Sequence, residues 1–131
     1  MKLHGILNSH IAKILADLGH TDCIVIADAG LPVPDGVPKI DLALKLGVPG
    51  FKDVVAVIKE EMKIEKVTLA SEIESRNPDT YQYMKEQFSG VKMDMVSHEK
   101  LKELTKHAKA VIRTGEATPF ANCILQAGVI F

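Results

Sequence analysis

Apolar positions along this chain switch between a helical period and short continuous runs, and the switches mark out its elements. Ile11, Ile14, Leu15 and Leu18 recur at helical spacing with His10, Lys13 and Asp17 between them. That spacing predicts an amphipathic helix over residues 8–18, capped by Asn8 or Ser9 and ended by Gly19. Cys23-Ile-Val-Ile-Ala27 is a short β-branched run that reads as a strand buried on both faces. Asp28 ends it, and Ala29-Gly-Leu-Pro-Val-Pro-Asp-Gly36 is turn-forming sequence with no room for a helix.

The same two patterns then repeat. Residues 40–46 read as loop, and 53–63 as a helix with Val54, Val57, Ile58 and Met62 on one side. A strand over 66–70 follows. Asn77-Pro78 opens a helix running to about residue 88, with proline favourably in its first turn. Lys92–Val96 reads as a strand, Ser97-His98 opens a helix through about residue 106, and Ala110–Arg113 is the next strand. Residues 114–120 are loop, and the apolar stretch 124–131 reads as a final strand whose end is buried at a subunit contact. Strands alternating with helices predict an α/β fold: one domain over residues 1–131, with a mostly parallel open sheet flanked by helices.

Composition narrows the function. The 131 residues carry 16 basic and 17 acidic side chains, a formal charge of −1. A balanced charge argues against nucleic acid or anionic lipid as a partner. No run approaches the roughly 18 apolar residues of a membrane span, and the first residues lack a signal-peptide pattern. The expected location is therefore the cytoplasm. Cys23 and Cys123 sit in apolar runs without metal-ligand spacing, which favours buried packing over zinc or dithiol chemistry. A P-loop, a GxGxxG turn and a GxSxG elbow are all missing.

In open α/β sheets, ligands lie beyond the carboxyl ends of the strands. Those ends carry Asp28, Glu72, His98 and Thr114-Gly-Glu116. Three carboxylates and an imidazole suit acid–base work on a small polar molecule. Each also has a plainer reading. Asp28 would cap the loop backbone, His98 would sit in a helix first turn behind Ser97, and Glu72 would simply be solvated. His20 would satisfy the carbonyls ending the first helix, or else carry a proton near neutral pH.

Lys2-Leu-His-Gly-Ile-Leu-Asn-Ser-His10, Leu18-Gly-His20, Ala27-Asp-Ala-Gly-Leu-Pro-Val-Pro34, Arg113-Thr-Gly-Glu116 and Pro119-Phe-Ala-Asn122 resemble, in register, the D-ribose pyranase family. Fucose mutarotases share the broader pattern. The resemblance implies an isomerase without cofactor or metal that turns β-D-ribopyranose into the β-D-ribofuranose used by ribokinase. It also implies a cytoplasmic homo-oligomer, a decamer of two pentameric rings. The family's proton donor falls on His20, and its substrate-binding positions fall on Asp28, His98, Phe120, Ala121 and Asn122. Phe120 departs from the family, which commonly has tyrosine there, so stacking on a sugar face is retained without the phenolic hydrogen bond. A non-catalytic partner of a ribose importer, or a mutarotase for fucose, are the alternatives.

One expectation comes from geometry. His20 precedes the first strand and Asp28 follows it, and eight extended residues cover about 26 Å. His20 and Asp28 of one chain are then too far apart to meet one sugar, which predicts that His20 serves a neighbouring subunit.

Overall fold

The computed structural model describes residues Met1–Phe131. In chain order the elements are α1 (Ser9–Asp17), β1 (Cys23–Ala27), β2 (Lys39–Asp41), α2 (Phe51–Glu61), β3 (Ile64–Ala70), α3 (Ile73–Arg76), α4 (Pro78–Gln87), β4 (Lys92–Val96), α5 (His98–Thr105), β5 (Ala110–Arg113) and β6 (Cys123–Ala127). The caps are those the sequence marks. Asn8 Oδ1 accepts from the Ile11 N–H at 3.0 Å, and Ser97 Oγ accepts from the Lys100 N–H at 3.1 Å. Helix α1 ends differently from expectation. Leu18 closes it in an extended conformation, and Gly19 instead gives its N–H to Asp22.

The six strands form one sheet in the order β2-β5-β1-β6-β3-β4. Pairings β1–β5, β2–β5 and β3–β4 are parallel, while β6 runs antiparallel to both β1 and β3. The expected mostly parallel α/β sheet is thus present with one reversed strand at its centre. The reversal follows from the connection. The stretch from Thr114 to Asn122 carries no helix, and a parallel return needs a crossover of a dozen or more residues.

Alternate residues of the central strands feed two cores. Ile24, Ile26, Ile112 and Leu125 pack toward α1, α2 and α4, whereas Val25, Ala27, Val111 and Ile124 pack toward α5 and Leu31. Complete burial of each such isoleucine or leucine contributes about 1.5–3 kcal/mol. This two-sided burial explains why β1 reads as a continuous apolar run rather than an alternating one.

Several details depart from the sequence reading. Residues 39–41, read as loop, form the short edge strand β2, because β5 offers them a free edge. The four-residue helix α3 was not expected. Helix α2 begins at Phe51, since Asp53 reaches back to the Gly50 N–H at 3.3 Å. Val57, expected on the core side of α2, is 44% exposed. Strand β6 stops at Ala127, opposite the first residue of β3, and beyond it Gly128 still donates its N–H to Lys63 O at 2.9 Å. Ile130 and Phe131 are 91% and 99% exposed in the single chain.

Gly115 shows how tightly the carboxyl edge is built. Its N–H donates to Pro49 O at 2.9 Å, and its carbonyl accepts from the Gly47 N–H at 2.6 Å. A Cβ there would lie 2.5 Å from Val48 O and 2.6 Å from Lys45 O, both backbone atoms. Gly115→Ala is therefore expected to lower unfolding free energy by roughly 1–3 kcal/mol in urea titration, the usual range for overpacking.

Candidate functional site

Because β6 is reversed, its leading residues meet the carboxyl ends of the parallel strands. Asp28 after β1, His98 at the start of α5 and Phe120 ahead of β6 line one cavity of about 310 Å³. Gly30, Leu31, Pro32, Lys102 and Pro119 complete it.

The Asp28 carboxylate is fixed from two sides. Oδ1 accepts from the N–H groups of Gly30 and Leu31 at 2.9 and 2.8 Å, which is the loop-capping role foreseen for it. Oδ2 accepts from Asn122 Nδ2 at 3.0 Å, and Asn122 Oδ1 accepts from the Asp28 N–H at 2.8 Å. Asn122 is fully buried, so it holds Asp28 from beneath and does not line the cavity. Ala121 is equally buried, in the core under α2 and α4.

His98 meets the edge of Phe120, with ring centroids 5.1 Å apart and planes at 82°. Its Nδ1 is buried without a hydrogen-bond partner. Its backbone N–H donates to both Glu72 oxygens, at 3.1 and 3.0 Å. Burial pushes the Glu72 carboxyl up, but its own N–H, the His98 N–H and the Ser71 hydroxyl outweigh that and hold it below its ordinary value. Glu72, read as merely solvated, is thus tied to the first turn of α5.

Phe120 adopts a left-handed conformation, φ 57°, unusual for a bulky residue. Asn77 holds the approach to it, donating from Nδ2 to Thr118 Oγ1 at 2.9 Å and Pro119 O at 2.8 Å. The Arg76 guanidinium lies 6.0 Å from the Phe120 ring centroid. Sequence reasoning missed Lys102, Asn77 and Arg76. Lys102 alone had a signal, since it lies one helical turn after His98.

His20 is elsewhere. It lies beyond the amino end of β1, in a depression of about 550 Å³ lined by α1, residues 61–63 and the C-terminal segment. This depression shares no residue with the Asp28 cavity. The five residues of β1 stand between them, roughly 17 Å of extended chain. His20 does not satisfy the end of α1; its Nε2 lies 2.9 Å from Glu65 Oε2. No three His, Cys, Asp or Glu side chains gather into a metal-holding group.

Residues 1–130 match the RbsD / FucU transport protein family. The chain belongs to that family. A relative from Bacillus licheniformis called D-ribose pyranase is 70% identical over the whole of both chains. The solved structure of Bacillus subtilis RbsD complexed with D-ribose shares 66% identity, covers all of both chains and superposes with a TM-score of 0.98. The FucU crystal structure from Bifidobacterium longum, 23% identical over 95% of this chain and 96% of its own, has a TM-score of 0.78 and shares the fold. The RbsD / FucU fold therefore persists where most side chains have changed. No helix here is long and apolar enough to cross a membrane.

Glu116 braces this edge and makes it acid-sensitive. Oε1 accepts from the Phe51 N–H at 3.0 Å, and Oε2 accepts from Thr118 Oγ1 at 2.9 Å. Burial pushes its carboxyl up, but the bonds from Phe51, Thr118 and Ala117 prevail and hold it below its ordinary 4.5. A depressed carboxyl stabilises the fold fully above the unfolded value, and that stabilisation is lost as pH falls through the folded one. Glu116→Gln is expected to lower stability at neutral pH. Its urea midpoint should also change less than wild type between about pH 6 and 3.

Proposed function

We propose that this chain is a D-ribose pyranase, an isomerase that interconverts β-D-ribopyranose and β-D-ribofuranose. The observation that carries this reading is full-length likeness to relatives of that name, together with near-identity of fold to a relative solved with D-ribose. The cavity agrees with it. At about 310 Å³ it is at the small end of ligand pockets, as a pentose requires, and it offers carboxylate, imidazole, ammonium and aromatic groups together.

Exchanging ring size opens the hemiacetal and recloses it through another hydroxyl. A proton must reach the ring oxygen as the C1–O bond breaks, while the anomeric hydroxyl gives up its own proton and becomes the carbonyl. Closure reverses both transfers at the new hydroxyl. His20 is the proton donor in this reading, and positioned acid–base groups contribute about 10²–10⁴-fold. Asp28, locked by Asn122 and two backbone N–H groups, accepts a sugar hydroxyl. His98 holds another, and Phe120 offers an apolar ring without the phenolic contact of a tyrosine.

His20 lies at the wrong end of β1 to reach a sugar beside Asp28 of its own chain, so it acts on the site of a neighbouring subunit. Support for assembly comes from Leu44, Leu46, Val57, Ile130 and Phe131, large apolar side chains that a lone chain leaves exposed. The assembly in this reading is a cytoplasmic decamer of two pentameric rings.

NMR saturation transfer between the ring forms of ribose tests the activity. Wild type should accelerate exchange above buffer, and His20→Ala should lose roughly 10²-fold or more of that acceleration. No acceleration by wild type would leave only sugar binding. Mixed oligomers test the shared site. Combining His20→Ala with Asp28→Ala chains should restore part of the rate, whereas no recovery at any ratio from intact oligomers rejects it.

A further inference from the structure

The amino end of β3 contains an irregularity that the fold does not need. Ile64 pairs with Ala127 and Lys66 with Gln126, so Glu65 is an extra residue opposite a single step of β6. Such bulges bend a strand and re-aim a side chain, and they are enriched beside active sites. Here the re-aimed side chain meets His20, with Glu65 Oε2 2.9 Å from His20 Nε2. The other oxygen, Oε1, accepts from Gln126 Nε2 at 2.6 Å. These two contacts, Gln126 first, hold the Glu65 carboxyl below its ordinary range, so it stays an anion and only accepts. Gly128 leaves the space for it, since a Cβ there would come within 3.2 Å of Glu65 Cβ and 3.5 Å of Oε2.

We propose that Glu65, seated by Gln126 and admitted by Gly128, is the positioning residue for His20, fixing its ring through Nε2 so that Nδ1 is the nitrogen that exchanges the proton with the sugar. An anionic acceptor on Nε2 keeps a hydrogen there in the neutral imidazole. Nδ1 is then the bare lone pair that takes up and returns the proton. The assignment rests on the reading of His20 as proton donor.

The test uses the assembled protein with His20→Ala, Glu65→Ala and the isosteric Glu65→Gln, measured by saturation transfer at several ribose concentrations. The imidazole nitrogens of His20 are followed in parallel by ¹⁵N NMR. Expected for Glu65→Ala is a kcat loss of roughly 10–100-fold, by analogy with metal-bound histidines deprived of an outer partner, with KM within about twofold. Glu65→Gln should lose less. Wild-type His20 should carry its hydrogen on Nε2, and Glu65→Ala should populate both tautomers. If His20→Ala abolishes exchange while both Glu65 variants keep wild-type kcat, the positioning role is overturned. A wild-type tautomer with its hydrogen on Nδ1 overturns it as well. If His20→Ala retains full rate, the proton-donor reading fails, and Nδ1 loses its assigned chemistry with it.

Discussion

The reversed strand β6 is the constraint on which the rest depends. It lies between β1 and β3, and its buried Cys123 and Leu125 lock its register, because a one-residue slip would turn its whole core face over. Its two ends carry amides with matching tasks. Asn122, just before the strand, takes hold of Asp28; Gln126, near its close, takes hold of Glu65. One short strand thus sets a carboxylate at each edge of the sheet. A parallel strand in this place would have delivered Asn122 and Gln126 to the opposite edges.

That arrangement divides the polar chemistry between the two edges of a single chain. The carboxyl edge gathers Asp28, His98, Lys102 and Phe120 around one cavity, and the amino edge presents His20 on Glu65. Under the proposed reaction neither edge suffices alone. Exposed apolar residues are found on the loop bearing Leu44 and Leu46, on α2 at Val57 and on the C-terminal segment. In the proposed assembly, burying them against further copies would also complete the site, so assembly would gate activity.

Much of the fold was legible because burial leaves a mark in one dimension. Strands β1 and β5 have the bounds their apolar runs suggest, β4 has those read for it, and the Asn8 and Ser97 caps are where the side chains place them. What escaped depends on partners distant in sequence. Residues 39–41 become a strand only because β5 lies beside them, and β6 ends where β3 begins. The site divides in the same way. Asp28 and His98 follow strands and could be picked out by position alone. Glu65 could not, since a bulge shows itself only against its paired strand. Asn122 was picked out by resemblance, but its bonds to Asp28 are long-range and unmarked in the sequence.

The carboxyl edge also retains local tension, and that tension has a direction. Phe120 holds a left-handed backbone that costs roughly 1–2 kcal/mol for a non-glycine residue. His98 Nδ1 is buried with no hydrogen-bond partner from the protein. Neither feature stabilises the chain, yet the surroundings over-determine both. Asn77 pins Thr118 and Pro119, Glu72 grips the His98 N–H, and the Asn122 N–H donates to the Phe120 carbonyl at 2.9 Å. Strain maintained by so many bonds belongs where preorganisation matters, and both outliers border the cavity that holds Asp28. A polyhydroxylated ligand gains from that rigidity. Its hydroxyls meet acceptors already oriented, and little further ordering of the protein is needed on binding.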